Sequence, residues 1–139
     1  MYKKILLAND GSSGGLRALS AALALASEQG AALHMVTVEE LPRFPASIDE
    51  VEEEKSEANH RLAPMLEAVR AQAQAAGIEI KTLLLPGHAV QAIVALVSEH
   101  HFDLLVVGFM GHTRLYDHMV GSTTERLVRF APCSVLVVK

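Results

Sequence analysis

Short apolar runs alternate with segments of helical periodicity along this 139-residue chain. The runs are continuous rather than alternating with polar residues, which is typical of strands buried on both faces of a parallel sheet. Strands separated by helices need crossover connections, and these join parallel strands. The pattern therefore predicts an α/β fold, a doubly wound five-stranded parallel sheet with helices on both faces. Its strands are expected at residues 5–8, 33–38, 78–85, 104–108 and 135–138.

Helix signals fill the intervals between the expected strands. A first helix from Ser13 to a glycine stop at Gly30 has one apolar face, made of Leu16, Leu19, Ala22, Leu23 and Ala26. A second begins at the capping-box pair Ser47 and Glu50 and ends at Gly77, and Pro64 should kink or divide it. A third carries Val90, Ile93, Val94 and Val97 on one face. A fourth opens at a second capping-box pair, Ser122 and Glu125, and stops before Pro132.

Composition excludes several classes of function. Only 4% of the residues are aromatic and half are hydrophobic, so Ala, Val, Leu and Ile build the core and no aromatic platform for nucleic-acid bases is expected. The net charge is −4, with an acidic run at residues 49–57 and no basic stripe, which argues against nucleic-acid binding. Cys133 is the single cysteine, so no disulfide can form within the chain. No apolar segment is long enough to span a membrane, and we expect a cytoplasmic protein.

Glycines mark the loop after the fourth expected strand. Gly108 and Gly111 are followed after nine residues by Gly121, Ser122 and Thr123 at the start of a helix. Glycines let a ligand approach the backbone, and a helix N-terminus offers unpaired N–H groups and a favourable dipole to an anion. Spacing alone leaves two interpretations open, a phosphate site or ordinary turn glycines with Ser122 as a helix cap.

The same residues resemble a known family. The stretch from Leu105 to Val138, with G-x2-G-x9-G-S and the later Ala-Pro-Cys, is similar to the C-terminal signature of universal stress proteins. Residues 3–12 resemble the opening of that family and residues 87–93 its third-helix entry, so the similarity covers the chain as one domain, 1–139. The resemblance implies a strand order of 3-2-1-4-5, which places the ends of the first and fourth strands side by side.

The resemblance also implies a binding site for ATP, or for AMP or ADP. Asp10 would lie near the ribose or a metal–phosphate group, and the backbone of Val38 would meet adenine. The ribose and phosphates would be surrounded by Gly108, Gly111, Gly121, Ser122 and Thr123. Met110 stands where many members carry a basic or polar residue, and a protonated His112 could compensate. Mg²⁺ would arrive with the nucleotide, with Asp10 as its carboxylate ligand.

Two other ligand sites receive less support from the sequence. His112 and His118 lack a cysteine partner and the usual zinc-ligand spacing. Ser12, Ser13, Gly14 and Gly15 look like the loop of ATP pyrophosphatases, but Leu16 and Arg17 replace the Asp-Ser expected there.

We therefore expect a nucleotide-binding regulatory protein of the stress response, whose output is ligand occupancy. No catalytic residues are predicted, and slow ATP hydrolysis or autophosphorylation stays open. Two alternatives stay open. One is a relative that no longer binds ATP and acts through protein contacts, and the other is a nucleotide-dependent transferase. The last strand, 134–138, has almost no charged or proline gatekeeper, so we expect a homodimer paired through it.

Overall fold

The computed structural model describes residues 1–11, 13–40, 48–109 and 121–139, with the side chains of these residues except 13 and 48–61. Strands and helices alternate throughout this part of the chain. In chain order they are β1 (Lys4–Ala8), α1 (Ser13–Gln29), β2 (Ala32–Glu40), α2 (Ile48–Ala75), β3 (Ile80–Gly87), α3 (Ala89–His100), β4 (Leu104–Gly108), α4 (Ser122–Phe130) and β5 (Ser134–Val138).

The strands form one parallel sheet in the order β3-β2-β1-β4-β5, which confirms the predicted fold. Ile5 of β1 lies opposite Leu33 of β2 on one side and Leu104 of β4 on the other. From β1 the chain builds outward to β2 and β3, and then crosses back to add β4 and β5. The strand order therefore reverses between β1 and β4, and the crevice outside their carboxyl ends is where such sheets bind ligands.

Two hydrophobic layers cover the sheet, one on each face. The first is built by α1 and α2 against Ile5, Leu7, Leu33, Met35 and Val106. The second is built by α3 and α4 against Leu6, Val36, Leu105 and Val107. Alanines at 18, 22, 26 and 73 are buried in the first layer, where small side chains let the helices lie close to the strands.

Several local expectations differ from the structure. Leu16 is 43% exposed, and the buried face of α1 is formed by Gly15, Ala18, Leu19 and the residues that follow them at helical spacing. Of the two effects expected of Pro64, division is wrong, because α2 continues through the proline from Ile48 to Ala75. β3 extends through Pro86, which an edge strand tolerates because the missing N–H is not needed. Gly30 and Gly77 take positive φ at the helix ends, as predicted. Ser47 lies outside the described residues.

No helix in the described part of the chain combines the length and apolar character needed to cross a membrane.

Candidate functional site

The turn after β1 is fixed by Asn9. This side chain is 3% exposed, and its Oδ1 accepts a hydrogen bond from the N–H of Gly11 at 2.9 Å. The N–H of Asn9 donates to the carbonyl of Val36 on β2 at 3.0 Å. Gly11 has φ of +84°, a conformation that glycine adopts without strain. The turn thus presents Asp10, which is exposed, at the carboxyl edge of the sheet.

Glycines bring α1 close to this turn and to the end of β4. A Cβ at Gly108 would lie 3.2 Å from the carbonyl carbon and oxygen of Gly14, and a Cβ at Gly15 would overlap Asn9 Oδ1. The first turn of α1 therefore packs against backbone and a short amide, with no room for side chains between them. The sequence alone does not indicate this packing role of Gly14 and Gly15.

Two hydrogen bonds tie the start of α4 to the end of β4, and a third ties the end of β4 to β5. The hydroxyl of Thr124 donates to the carbonyl of Gly108 at 2.8 Å. The N–H of Gly121 donates to the carbonyl of Phe109 at 3.1 Å. The N–H of Phe109 donates to the carbonyl of Val138, the last residue of β5, at 2.8 Å. The N-terminus of α4 is consequently held directly beside the crevice between β1 and β4.

The predicted capping box at Ser122 and Glu125 is wrong. Gly121 is the N-cap residue of α4, its φ of −58° and ψ of 146° are non-helical, and glycine has no side chain to cap the helix. Glu125 instead lies 3.6 Å from Arg129 in an exposed ion pair, which contributes little to stability. Ser122 and Thr123 are exposed in the first turn, where backbone N–H groups have no intrahelical acceptor. This arrangement leaves hydroxyls and N–H groups available to an anion.

Thr124 is the residue that sequence reasoning missed. It is 7% exposed and lies one turn before buried Leu127 on the inner face of α4. The three successive hydroxyl residues at the helix start were a signal, but the inward position among them depends on how α4 is rotated against β4.

Val38 lies where β2 runs past its neighbour. Pairing of β2 with β1 ends at Ala8 and Val36, whereas pairing with β3 continues to Glu40 and Gly87. The Val38 side chain packs into the layer under α3 and α4. The flank of β2 that faces β1 therefore has no strand partner at Val38 within the described residues, beside the turn that carries Asp10.

The structure thus brings Asp10, Gly108, Gly121, Ser122 and Thr123 to one crevice, with Val38 one strand away. Gly111 and His112 lie outside the described residues, as does Met110. Among the side chains that the structure describes, no three His, Cys, Asp or Glu residues form a group suited to a metal ion.

The two described groups with shifted pKa values lie away from this crevice. Burial lowers the pKa of His34, near the amino end of β2, with Lys4, Lys81 and His100 adding to the effect. Burial also raises the pKa of the Cys133 thiol, which precedes β5. Neither group therefore belongs to the candidate site.

Comparison with known proteins finds one family whose model covers the whole chain. The model of the universal stress protein family matches residues 1–139. A universal stress protein of Methanocaldococcus jannaschii is 35% identical, over 100% of this chain and 83% of its own length. One from Thermus aquaticus is 36% identical over 100% of both chains.

Solved structures of universal stress proteins have the same fold as this chain. UspA from Lactobacillus plantarum superposes with a TM-score of 0.86 at 25% identity, over 99% of this chain and 98% of its own. The crystal structure of a universal stress protein in complex with cAMP superposes with a TM-score of 0.76 at 28% identity, over 99% and 97%. The chain belongs to the universal stress protein family.

Proposed function

We propose that this stress protein binds ATP at the carboxyl edge of the sheet and acts in the cytoplasm through nucleotide occupancy rather than turnover. The observation that carries the proposal is the placement of the α4 N-terminus, which Thr124 and Gly121 fasten to the end of β4 beside the β1–β4 crevice. A helix N-terminus in that position favours negative charge and offers N–H donors to phosphates. A relative of the same fold is bound to cAMP, which supports a nucleotide as the ligand.

Each residue of the proposed site contacts a different part of the nucleotide. Gly121, Ser122 and Thr123 hold phosphates with N–H and hydroxyl groups, and the backbone of Gly108 lies beside the ribose. Asp10 binds the ribose or a Mg²⁺ ion carried on the phosphates, where the metal would neutralise phosphate charge. Val38 meets the base through its backbone. Gly111 and His112 complete the phosphate loop by resemblance to the family.

We propose that the chain acts as one domain, residues 1–139, within a homodimer. β5 pairs with β4 on one side only, and Leu136 on it is 36% exposed. Val128 and Phe130 of the preceding helix are 50% and 54% exposed. Pairing of two β5 edges would satisfy backbone groups and cover apolar surface.

These exposed apolar residues support the second candidate function, a stress protein that acts through protein contacts without ATP. In that case exposed Val128 and Phe130 on α4, or Leu136 on β5, would contact the partner protein, and the crevice would stay empty. Protein that is purified free of nucleotide and does not respond to added ATP favours this alternative.

A thermal melt with and without Mg-ATP tests the nucleotide site. ATP at about a hundred times its Kd should stabilise the fold by about 2.7 kcal/mol, a rise of several degrees. Gly121→Asp and Gly121→Asn form a matched pair, because both residues are good N-caps and differ in charge. We expect both variants to melt at or above the wild-type temperature without ligand. The ATP-induced rise should be lost in Gly121→Asp and largely kept in Gly121→Asn; equal rises in the two variants would contradict the site.

A further inference from the structure

The amide of Asn9 is directed at two methionine sulfurs. Within the described part of the chain, Asn9 Nδ2 donates to Sδ of Met35 on β2 and to Sδ of Met65 on α2, each at 3.6 Å. A thioether sulfur is a weak acceptor, and Asn9 is only 3% exposed, so bulk water adds little to these bonds. Nδ2 is therefore a buried donor that a stronger acceptor would stabilise.

The two methionines differ in their access to solvent. Met35 is 0% exposed inside the layer built by α1 and α2, whereas Met65 is half-buried at the margin of the same layer. Mild oxidants convert methionine to the polar sulfoxide, and a reagent dissolved in water must reach the sulfur to do so. Of the two, Met65 is therefore the residue that is open to oxidation in the folded protein.

Met65 also lies next to the turn after β1. Leu62, one helical turn earlier on α2, is close to the same turn, since a Cβ at Gly11 would lie 3.8 Å from Leu62 Cδ2. The Asn9 side chain joins Met65 to the turn, because its Nδ2 donates to Met65 and its Oδ1 accepts the N–H of Gly11 at 2.9 Å. A chemical change at the Met65 sulfur is therefore transmitted to the turn through a single side chain.

The Asn9 amide is placed to bond a sulfoxide oxygen on Met65. The N···S separation of 3.6 Å becomes an N–H···O bond of about 2.9 Å when the flexible Met65 side chain turns the oxygen towards Nδ2. A sulfoxide in an apolar layer usually disrupts packing, because its new dipole has no partner. Here the donor is already present. A stronger bond to Nδ2 also polarises the amide, which strengthens the bond from Gly11 to Oδ1.

We propose that Met65 is a reversible oxidation site, whose sulfoxide oxygen accepts a hydrogen bond from Asn9 Nδ2 and tightens the turn after β1. The oxidant is hydrogen peroxide. A bond forms between Met65 Sδ and one peroxide oxygen as the O–O bond breaks, and the other oxygen leaves as water with the proton of the first. Sulfur loses the electron pair that the peroxide gains, and methionine sulfoxide reductases restore the thioether.

Peptide mapping by mass spectrometry, after treatment of the folded protein with hydrogen peroxide, tests the site. We expect an oxygen adduct on Met65 before one appears on Met35, at peroxide doses that also oxidise Met1, which is 98% exposed. A sulfoxide reductase should then remove the adduct from Met65. Met65 that stays reduced while Met1 is fully oxidised, or that reacts only in unfolded protein, would overturn the proposal.

Amide hydrogen exchange of Gly11, measured by NMR, tests the bond to Asn9. In wild type, oxidation should slow this exchange by about tenfold, which corresponds to the strengthening of one hydrogen bond. Met65→Leu, treated in parallel, should show no change, and the comparison removes the effects of the other methionines. Exchange that is unchanged or faster in oxidised wild type would contradict a bond between the sulfoxide and Asn9.

Met65→Gln imitates the sulfoxide without oxidation, because the glutamine carbonyl oxygen accepts from Asn9 Nδ2 at the end of a side chain of similar length. Leu66→Gln is the matched control, since Leu66 is half-buried beside Met65 in the same layer. The thermal midpoint should stay near the wild-type value in Met65→Gln and fall by several degrees in Leu66→Gln. An equal fall in both variants would show that Asn9 does not bond a polar group at position 65. None of these measurements uses ATP, so their failure would leave the proposed nucleotide site standing.

Discussion

The hydroxyl of Thr124 on α4 donates a 2.8 Å hydrogen bond to the carbonyl of Gly108, the last residue of β4. The bond fixes the rotation of α4, since Thr124 must face the sheet together with Leu127. Ser122 and Thr123 then point away from the core. One buried side chain thus determines which hydroxyls reach the crevice.

Thr124→Val should lower stability and weaken ATP binding together. The change leaves the Gly108 carbonyl without its donor, at a cost of about 1–3 kcal/mol. Urea unfolding and ATP titration measure the two effects. Thr124→Ser should recover most of both, and Thr123→Val, at an exposed position, should keep stability within about 0.5 kcal/mol. Unchanged stability in Thr124→Val would show that the bond does not hold α4 in place.

Gly15→Ala should destabilise the protein although it lies in a helix. Alanine usually stabilises a helix interior over glycine by about 1 kcal/mol. Here its Cβ would overlap Asn9 Oδ1 and push the turn that carries Asp10. Urea unfolding should therefore show a loss, and the loss should shrink when Gly15→Ala is made in an Asn9→Ala background. A single Gly15→Ala variant more stable than wild type would contradict the close packing.

His34 should make stability fall in mild acid. Burial is the main cause that lowers its pKa below 6.5, and Lys4, Lys81 and His100 add positive charge around it. Its Nδ1 is buried without a partner in the described structure, and its ring meets Phe102 edge-on at 5.1 Å. The neutral form is therefore favoured in the native state. As pH falls below about 6.5 the unfolded chain takes up a proton that the native protein resists, and stability declines until the native pKa is passed.

Urea unfolding at pH 7.5 and 5.5 measures this contribution. The difference in free energy of unfolding between the two pH values should be smaller in His34→Leu than in wild type. His88→Gln, at an exposed histidine, is the control and should keep the wild-type difference. If the difference in free energy of unfolding between the two pH values is the same in His34→Leu as in wild type, another group causes the acid sensitivity.

Leu136→Lys should convert the proposed homodimer to monomer. Leu136 on the β5 edge and Leu83 on the β3 edge are both 36% exposed, so Leu83→Lys is a matched control on the opposite edge of the sheet. Light scattering at micromolar concentration should give a dimer mass for wild type and Leu83→Lys, and a monomer mass for Leu136→Lys. Dissociation by Leu83→Lys alone would move the interface to β3, and a monomeric wild type would refute the dimer.

Much of the fold could be predicted from the sequence because buried parallel strands are continuous apolar runs. The bounds predicted for β4, Leu104–Gly108, agree with the structure. Gly30 and Gly77 indicated helix ends, because a helix often ends in a residue with positive φ and glycine adopts that conformation without strain. The other strands differ at their ends, because pairing decides where a strand stops. β2 reaches Glu40 since β3 continues beside it after β1 has ended.

The site was harder to predict where it depends on contacts between distant elements. Nothing local to Ser122, Thr123 and Thr124 shows which hydroxyl faces inward, since packing of α4 on β4 decides it. The requirement for glycine at Gly15 arises from Asn9 across a turn, and that at Gly108 from the backbone of α1.

Titration of nucleotide-free wild type with Mg-ATP, with binding measured by calorimetry, tests the central claim most directly. The proposed site predicts saturable binding with one ATP per chain in wild type, lost in Gly121→Asp and kept in Gly121→Asn. Absence of binding by well-folded, nucleotide-free wild type at millimolar Mg-ATP would contradict the account and favour a protein that acts through contacts of exposed apolar residues such as Val128, Phe130 and Leu136.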